Sequence, residues 1–193
     1  MNICIYGASS TLINNSYIIA GEELGKIMAT NKHNLVFGGG ANGLMGAVAR
    51  GMDSVGGCEI IGIAPSFMNV DGILYENCTR FIYSETMRER KQLMDEHSDA
   101  FIVTPGGIGT FDEFFEILTL KQLGRHNKPI AILNTNGYYN HLKAFLQNSI
   151  DEKFMNPGCN DLIYFSEKAD DIIKYIEKYK PQKNNLSEFK PIK

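Results

Sequence analysis

Cysteine and histidine are scarce in this sequence of 193 residues, and neither is spaced as a metal site requires. The four cysteines are spread along the chain without a Cys-x-x-Cys pair, and the four histidines form no His-x-x-x-His pair. We therefore expect no metal ion and no other cofactor. Dispersed cysteines of this kind are typical of unpaired, mostly buried thiols, which favours a cytoplasmic protein.

Long hydrophobic runs and an excess of one charge are also absent. No run of about 20 apolar residues is available to span a bilayer, and the first residues show no secretory-signal pattern. The formal net charge of −3 provides no general attraction for nucleic acid or for anionic membranes. We expect neither as a partner, and instead expect a small anionic ligand bound in one pocket.

The composition is that of a globular protein. With 44% hydrophobic and 21% charged residues, the chain fits one domain, which we place at residues 1–180. Residues 181–193 contain two prolines and little apolar patterning, so they are predicted to form an extended or mobile C-terminal tail.

Short apolar runs alternate with helical patterns along the chain. The predicted strands are Ile3 to Tyr6, Leu35 to Phe37, Ile60 to Ala64, Phe81 to Tyr83, Ala100 to Val103, Ile130 to Leu133 and Leu162 to Phe165. The predicted helices lie near 14–30, 43–54, 86–97, 110–124, 138–150 and 168–179. This alternation predicts an α/β fold with a Rossmann-like, doubly wound parallel sheet in three α/β/α layers.

The run from Pro105 to Glu113 carries the clearest functional signal. It follows an apolar strand, contains Gly106, Gly107 and Gly109, and opens a helix. Glycines let the backbone approach a ligand closely, and the first N–H groups of a helix attract an anion. The run therefore predicts a phosphate site, and Glu113 supplies a possible acid or base beside it.

A second glycine motif, Gly38-x-Gly40-x-x-Gly43, also lies between a strand and a helix. A dinucleotide fingerprint would require an acidic residue at the end of the next strand, and that strand ends in Ala64-Pro65. The motif therefore favours either a loop that lines a nucleotide site or tight packing between strand and helix. Neither a Gly-Lys-Thr step nor a Gly-x-Ser-x-Gly elbow is present, which argues against an ATPase and a serine hydrolase.

Two features have alternative structural interpretations. Thr110 and Glu113 fit a capping box, in which both side chains would bind helix N–H groups. Arg90 and Lys91 lie between Met87 and Met94 on one helix face, which predicts two inward cations that need an anionic partner. Both cations would otherwise extend to solvent or pair with acids of their own helix.

Three motifs in order resemble the Lonely Guy (LOG) family of cytokinin-activating phosphoribohydrolases, formerly described as lysine decarboxylases. They are Gly38-Gly39-Gly40 with Gly43-Leu44-Met45-Gly46, then Met87-Arg88-Glu89-Arg90-Lys91, then Pro105-Gly106-Gly107-x-Gly109-Thr110-x-x-Glu113. The similarity continues through Asn136-Gly137-Tyr138-Tyr139, and it covers about the first three quarters of the chain.

The resemblance implies an enzyme that hydrolyses the N-glycosidic bond of a nucleoside 5′-monophosphate to free base and ribose 5-phosphate. It implies Arg90 and Glu113 as the catalytic pair, and a homodimer or a larger homo-oligomer. The implied or predicted substrate-binding residues are Lys91, Gly106, Gly107, Gly109, Thr110, Thr119, Gly39 and Gly40. Arg88 replaces the usual histidine of the family, and the segment from Ala64 to Ser84 is shorter than in many members, so base preference is not implied.

For this activity we expect the helix N-termini after Gly40 and Gly107 to hold the 5′-phosphate. Glu113 would stabilise positive charge on the sugar or activate water, and Arg90 would lower the pKa of Glu113. The alternative is a non-catalytic carrier of a nucleotide or of the molybdenum cofactor, because a fold does not determine a function. A decarboxylase is not favoured, since no lysine has a recognisable pyridoxal-phosphate setting.

Overall fold

The computed structural model describes residues 1–181, and its centre is one sheet of seven strands. The strands are β1 (Asn2–Tyr6), β2 (Asn34–Phe37), β3 (Ile60–Pro65), β4 (Arg80–Ser84), β5 (Ala100–Val103), β6 (Ile130–Leu133) and β7 (Ile163–Ser166). The predicted tail lies outside the described residues except for Pro181.

All neighbouring strands of the sheet pair in parallel, in the order β4-β3-β2-β1-β5-β6-β7. The chain moves outward from β1 to β4, then returns to place β5 beside β1 and moves outward in the other direction. The order therefore reverses between β1 and β5, and the crevice at such a switch point is where open α/β sheets bind ligands.

Six helices cover the sheet in the described part of the chain. They are α1 (Asn15–Thr30), α2 (Gly43–Val55), α3 (Met87–Glu96), α4 (Ile108–Gln122), α5 (Asn140–Asp151) and α6 (Ala169–Lys178). Apolar residues of α1, α2 and α6 pack on one face of the sheet, and those of α3, α4 and α5 pack on the other. Both faces of the parallel sheet are therefore buried in a three-layer α/β/α fold, as predicted.

Three short 3₁₀ turns complete the structure, at Ser66–Met68, Thr135–Gly137 and Pro157–Leu162. No helix joins β3 to β4; the connection runs along the glycine loop after β2, where Ala41 N–H donates to the Ile73 carbonyl at 2.9 Å. Among residues 1–181, no helix combines the length and the apolar character needed to cross a bilayer.

One cation lies inside the packed layer of α4. Lys121 is 1% exposed, and its Nζ donates to the Leu162 carbonyl at 3.0 Å and lies 4.7 Å from the centre of the Tyr179 ring. No carboxylate pairs with it among the described residues. Burial without an acidic partner lowers the pKa of Lys121 from 10.5 to about 8.

Candidate active site

The centre of the candidate site is an ion pair between α3 and α4. The Arg90 Nη1 donates to Glu113 Oε1 at 2.8 Å, and the two side chains are only 9% and 8% exposed. The Arg90 Nε also donates to the Ile63 carbonyl, at 3.2 Å. The inward cation predicted on α3 therefore finds a carboxylate on the neighbouring helix, and its guanidinium is held from two directions.

The start of α4 explains why Glu113 is free to make this contact. The helix begins at Ile108, two residues before its predicted start, and its N-cap is Gly107, which makes no side-chain cap bond. Glu113 therefore lies in the second turn, where it does not reach the capping position. The capping-box interpretation of Thr110 and Glu113 is wrong, because Glu113 binds Arg90 instead.

A capping arrangement exists at the start of α3, which carries Arg90. The Thr86 Oγ1 accepts the Glu89 N–H at 3.1 Å, and the Glu89 carboxylate accepts the Glu85 N–H at 2.7 Å. The sequence signal for this arrangement is the Thr-x-x-Glu spacing of Thr86 and Glu89. These bonds fix the turn immediately before Arg90.

The electrostatics of Glu113 differ from the expectation. Burial raises the pKa of the Glu113 carboxyl above its ordinary value of 4.5, and Arg90 opposes this rise without cancelling it. Arg90 lowers the pKa of Glu113 as predicted, but the cost of removing the carboxylate from water is larger, so the net shift is upward. A carboxyl with a raised pKa is better suited to proton transfer near neutral pH.

Gly38 permits the close approach of Arg90 to the end of β2. A Cβ atom at Gly38 would lie 2.1 Å from Arg90 Nη2, which is far inside contact distance. The glycine motif after β2 thus makes room for a side chain of the site as well as for strand-to-helix packing. The packing interpretation also holds, since a Cβ at Gly43 would lie 2.4 Å from the Ala8 carbonyl oxygen.

The two helix N-termini differ in what they offer an anion. At α2, the N–H groups of Leu44 and Met45 both donate to the Ala8 carbonyl, at 2.8 and 3.3 Å. At α4, the N–H groups of residues 108 to 110 have no hydrogen-bond partner within the part of the chain described. The Ala8 carbonyl thus occupies two of the first N–H groups of α2, so α4 has the larger set of free donors at the site. Phosphate binding by both helices stays a prediction.

A cavity of about 640 Å³ lies in front of this N-terminus, and we call it the front cavity. It is lined by loops after β1, β2, β3 and β5 and by parts of α2, α3 and α4. The lining residues are Gly7, Ala8, Ser9, Ser10, Gly38, Gly40, Asn42, Met45, Met68, Ile73, Met87, Arg90, Gly107, Ile108, Gly109, Thr110 and Glu113. A Cβ atom at Gly107 or Gly109 would meet no atom within 4 Å, so both glycines border open space.

The front cavity brings together six of the predicted site residues: Arg90, Glu113, Gly40, Gly107, Gly109 and Thr110. The other four lie outside its lining. Gly39 packs against Phe81, and Gly106 lies behind Gly107. Thr119 lies in a shallow groove along α4 that Ile108, Phe111 and Phe115 also line.

Lys91 lies beside a second cavity of about 410 Å³, the rear cavity, which Tyr6, Arg88, Asp95 and Glu116 also line. The Lys91 Nζ forms an ion pair with Asp112 at 3.0 Å and another with Glu116. Glu113 lines the rear cavity as well as the front one, so its carboxyl group separates the two. The alternative pairing of Lys91 with acids of its own helix does not occur.

Several lining residues were missed from the sequence. Four of them are apolar side chains, and we call this set the apolar wall: Met45, Met68, Ile73 and Met87. Ser9, Ser10 and Asn42 follow β1 and β2, and their positions at the carboxyl ends of strands were the available signal. No group of three or more histidine, cysteine or acidic side chains within residues 1–181 is arranged to hold a metal ion.

The fold and the site define a Rossmann-like α/β protein with a cavity at a free helix N-terminus and a buried arginine-glutamate pair in the cavity wall. The chain matches the family described as "Possible lysine decarboxylase" over residues 45–176. It is 37% identical over 179 residues to the cytokinin riboside 5′-monophosphate phosphoribohydrolase LOG3 of Arabidopsis thaliana, covering 93% of this chain and 83% of that protein.

A probable phosphoribohydrolase of the same description from Oryza sativa subsp. japonica, LOGL6, is 35% identical, with 95% of this chain and 73% of that protein covered. The chain therefore belongs to the LOG family, which confirms the resemblance in the sequence. Among solved structures, the molybdenum cofactor carrier protein of Chlamydomonas reinhardtii has the same fold, with a TM-score of 0.68 at 20% identity over 92% of this chain and 95% of that chain.

Proposed function

We propose that this protein is an N-glycosidase that hydrolyses a nucleoside 5′-monophosphate to free base and ribose 5-phosphate. Its relatives in the LOG family carry the name of that activity. The observation that carries the proposal for this chain is the Arg90–Glu113 ion pair, which lies at the wall of the front cavity close to a free helix N-terminus. A carboxylate beside an anion site is what cleavage of a phosphorylated sugar requires.

In this proposal the backbone of the loop after β5 binds the phosphate. The free N–H groups at the start of α4 donate to its oxygens, and the helix dipole favours its charge. The phosphate then anchors the ribose, so that the bond to the base is held at a fixed position relative to Glu113.

The reaction breaks the bond between ribose C1′ and the base nitrogen, and a water oxygen forms the new bond to C1′. Positive charge develops on the ribose as the base leaves, and the Glu113 carboxylate stabilises it or takes a proton from the attacking water. One proton of the water is finally carried by the free base. Arg90 orients the carboxylate through the 2.8 Å contact and limits the rise in its pKa.

The apolar wall of Met45, Met68, Ile73 and Met87 is our proposed site for the base. Methionine side chains adapt their shape, so the wall accepts a flat purine ring and also a purine with a hydrocarbon substituent. AMP and cytokinin riboside 5′-monophosphates are therefore both proposed substrates.

A homodimer is the proposed assembly. Apolar side chains of α4 are exposed beside the front cavity: Ile108 is 85% exposed and Phe115 is 38% exposed. Exposed apolar surface of this kind is typical of protein interfaces. Light scattering during gel filtration measures the mass directly, and a single peak at the mass of one chain of 21.6 kDa would contradict the dimer. We also propose a cytoplasmic location, in keeping with four free thiols.

The test of the activity is to incubate the protein with AMP and measure free adenine by chromatography. Wild type releases adenine, whereas Glu113→Gln and Arg90→Ala release little or none while retaining the circular dichroism of wild type. Adenosine lacks the phosphate, so we expect it to be a much poorer substrate. Absence of adenine release by wild type from AMP and from a prenylated riboside monophosphate would refute the proposal.

The second candidate is a carrier, and the solved carrier from Chlamydomonas reinhardtii shares the fold. A carrier does not need a buried carboxylate beside its ligand, whereas the proposed hydrolysis does. We therefore favour the enzyme. Mass spectrometry of ligand released from purified protein separates the two. A pterin phosphate bound in stoichiometric amount, with no adenine released from AMP, would favour the carrier.

A further inference from the structure

The Asn136-Gly137-Tyr138-Tyr139 segment has no part in the chemistry described so far. It follows β6, and two positive φ angles, 56° at Asn136 and 68° at Gly137, turn the chain back toward the neighbouring loop after β5. The Asn134 Oδ1 accepts the Tyr139 N–H at 2.6 Å and stabilises this turn. The segment therefore presents its two tyrosines to the loop that precedes α4.

Both tyrosine hydroxyls donate to carbonyl groups of that loop. The Tyr138 hydroxyl donates to the Gly106 carbonyl at 2.8 Å, and the Tyr139 hydroxyl donates to the Thr104 carbonyl at 2.8 Å. Tyr139 is buried, whereas Tyr138 is 41% exposed and packs edge-on against Tyr17. The loop at the phosphate site is thus held from behind by two side chains that do not line the front cavity.

Each of the two carbonyl groups belongs to a peptide bond, and only one of these two peptide bonds also contains an N–H. The Gly106 carbonyl belongs to the same trans peptide as the Gly107 N–H, so the two groups point in opposite directions. Gly107 lines the front cavity, and its N–H has no hydrogen-bond partner among residues 1–181. The Thr104 carbonyl shares its peptide with Pro105, which has no N–H to offer.

We propose that Tyr138 is a positioning residue of the phosphate site, and this inference rests on the proposed function. Its hydroxyl fixes the plane of the Gly106–Gly107 peptide with the Gly107 N–H directed at the substrate phosphate. Donation to the carbonyl also polarises the peptide, which strengthens the N–H as a donor because linked hydrogen bonds reinforce one another. Tyr139 stabilises the part of the loop before this peptide, where its hydroxyl contacts the Thr104 carbonyl and the Gly106 backbone.

The test compares Tyr138→Phe with wild type in two measurements. In kinetics with AMP, loss of the hydroxyl raises KM by about three- to ten-fold, the worth of one hydrogen bond, and leaves kcat nearly unchanged because the phosphate is bound equally in ground and transition states. In calorimetry with ribose 5-phosphate, which has no glycosidic base to lose, binding weakens by about the same factor. Adenosine turnover stays at the wild-type value.

Tyr139→Phe and Tyr17→Phe are the matched controls. Tyr139→Phe leaves a buried carbonyl unpaired, so it lowers the melting temperature but changes the KM for AMP less than Tyr138→Phe does. Tyr17→Phe removes a hydroxyl from the ring beside Tyr138 and leaves KM unchanged. Equal effects of Tyr138→Phe and Tyr139→Phe on KM would overturn the inference, because the loop would then need only rigidity.

Calorimetry keeps this inference separate from the proposed activity. If wild type binds ribose 5-phosphate but hydrolyses no nucleotide, the proposed function fails, while weaker binding by Tyr138→Phe still supports the role of Tyr138. If Tyr138→Phe binds ribose 5-phosphate as tightly as wild type does, or if wild type does not bind it, the inference is wrong.

Discussion

Replacing Arg90 with methionine removes the cation of a buried ion pair and leaves the carboxylate behind. Methionine has a volume close to that of the apolar part of arginine, so the packing of this α3 side chain against its neighbours is largely kept. Glu113, with a side chain only 8% exposed, then loses the cation of its ion pair. The effect of Arg90 on the pKa of Glu113 disappears, and burial, the largest cause of the upward shift, is no longer opposed by it.

The expected loss of stability is large because the Glu113 carboxylate stays buried after its cation is removed. Removing one partner of a buried pair costs about 3–5 kcal/mol, and for a chain of this length that corresponds to a fall in melting temperature of about 6–20 °C. Removal of the adjacent cation raises the pKa of Glu113 further, because Arg90 favours the charged carboxylate. A raised folded-state pKa gives stability that is present at low pH and lost as pH rises.

The assay is urea unfolding of wild type and Arg90→Met at pH 5 and pH 8. The difference in unfolding free energy should be larger at pH 8, where the uncompensated carboxyl is forced to ionise. The double variant Arg90→Met/Glu113→Gln should recover most of the loss, since it has neither charge. A loss below about 1 kcal/mol, the ordinary worth of a surface pair, or a double variant that merely adds the losses of the two single ones, would refute the reasoning.

Three further substitutions test separate contacts. Gly38→Ala places a Cβ 2.1 Å from the Arg90 guanidinium and should lower kcat/KM for AMP about 100-fold through displacement of that group; unchanged kinetics would contradict the close approach. Burial of Lys121 contributes a rise in unfolding free energy of about 2–4 kcal/mol between pH 8 and 10.5, so the unfolding free energy of Lys121→Met should fall by this amount relative to that of wild type over the same range; parallel pH profiles of the two proteins would contradict it. Thr86→Ala removes the cap of the Glu89 N–H and should cost about 1 kcal/mol in urea unfolding, and no loss would show that the cap is not needed.

The fold was predictable because the apolar and helical patterns of the sequence match the segments that the fold buries along most of the chain. Every predicted strand lies within one residue of an observed one at each end. The inner strands β1, β2, β3, β5 and β6 are buried and mostly apolar, and the partly buried edge strands β4 and β7 still contain a short apolar run. The start of α4 is the instructive exception. Thr110 and Glu113 have capping-box spacing, but Gly107 begins the helix earlier because the backbone there faces an open cavity.

The sequence predicts that an inward Arg90 requires an anion nearby, and the family resemblance implies that Glu113 is its partner. Its environment was not predictable. Sequence spacing gives no sign that Gly38 touches the guanidinium, that the Ala8 carbonyl occupies the N-terminus of α2, or that burial of Glu113 outweighs its cation. These are contacts between distant segments, and only the folded chain determines which groups are removed from water.

The front cavity is built from two kinds of groups. The free donors at the start of α4 are main-chain amides, which persist whatever side chain is attached, proline excepted. The apolar wall consists of side chains from three segments, α2, the β3–β4 connection and α3, and each of them is replaced by a single codon change. If the wall holds the base as proposed, descendants of this gene are free to drift in the nucleobase they prefer while their main-chain donors to the sugar phosphate stay constant.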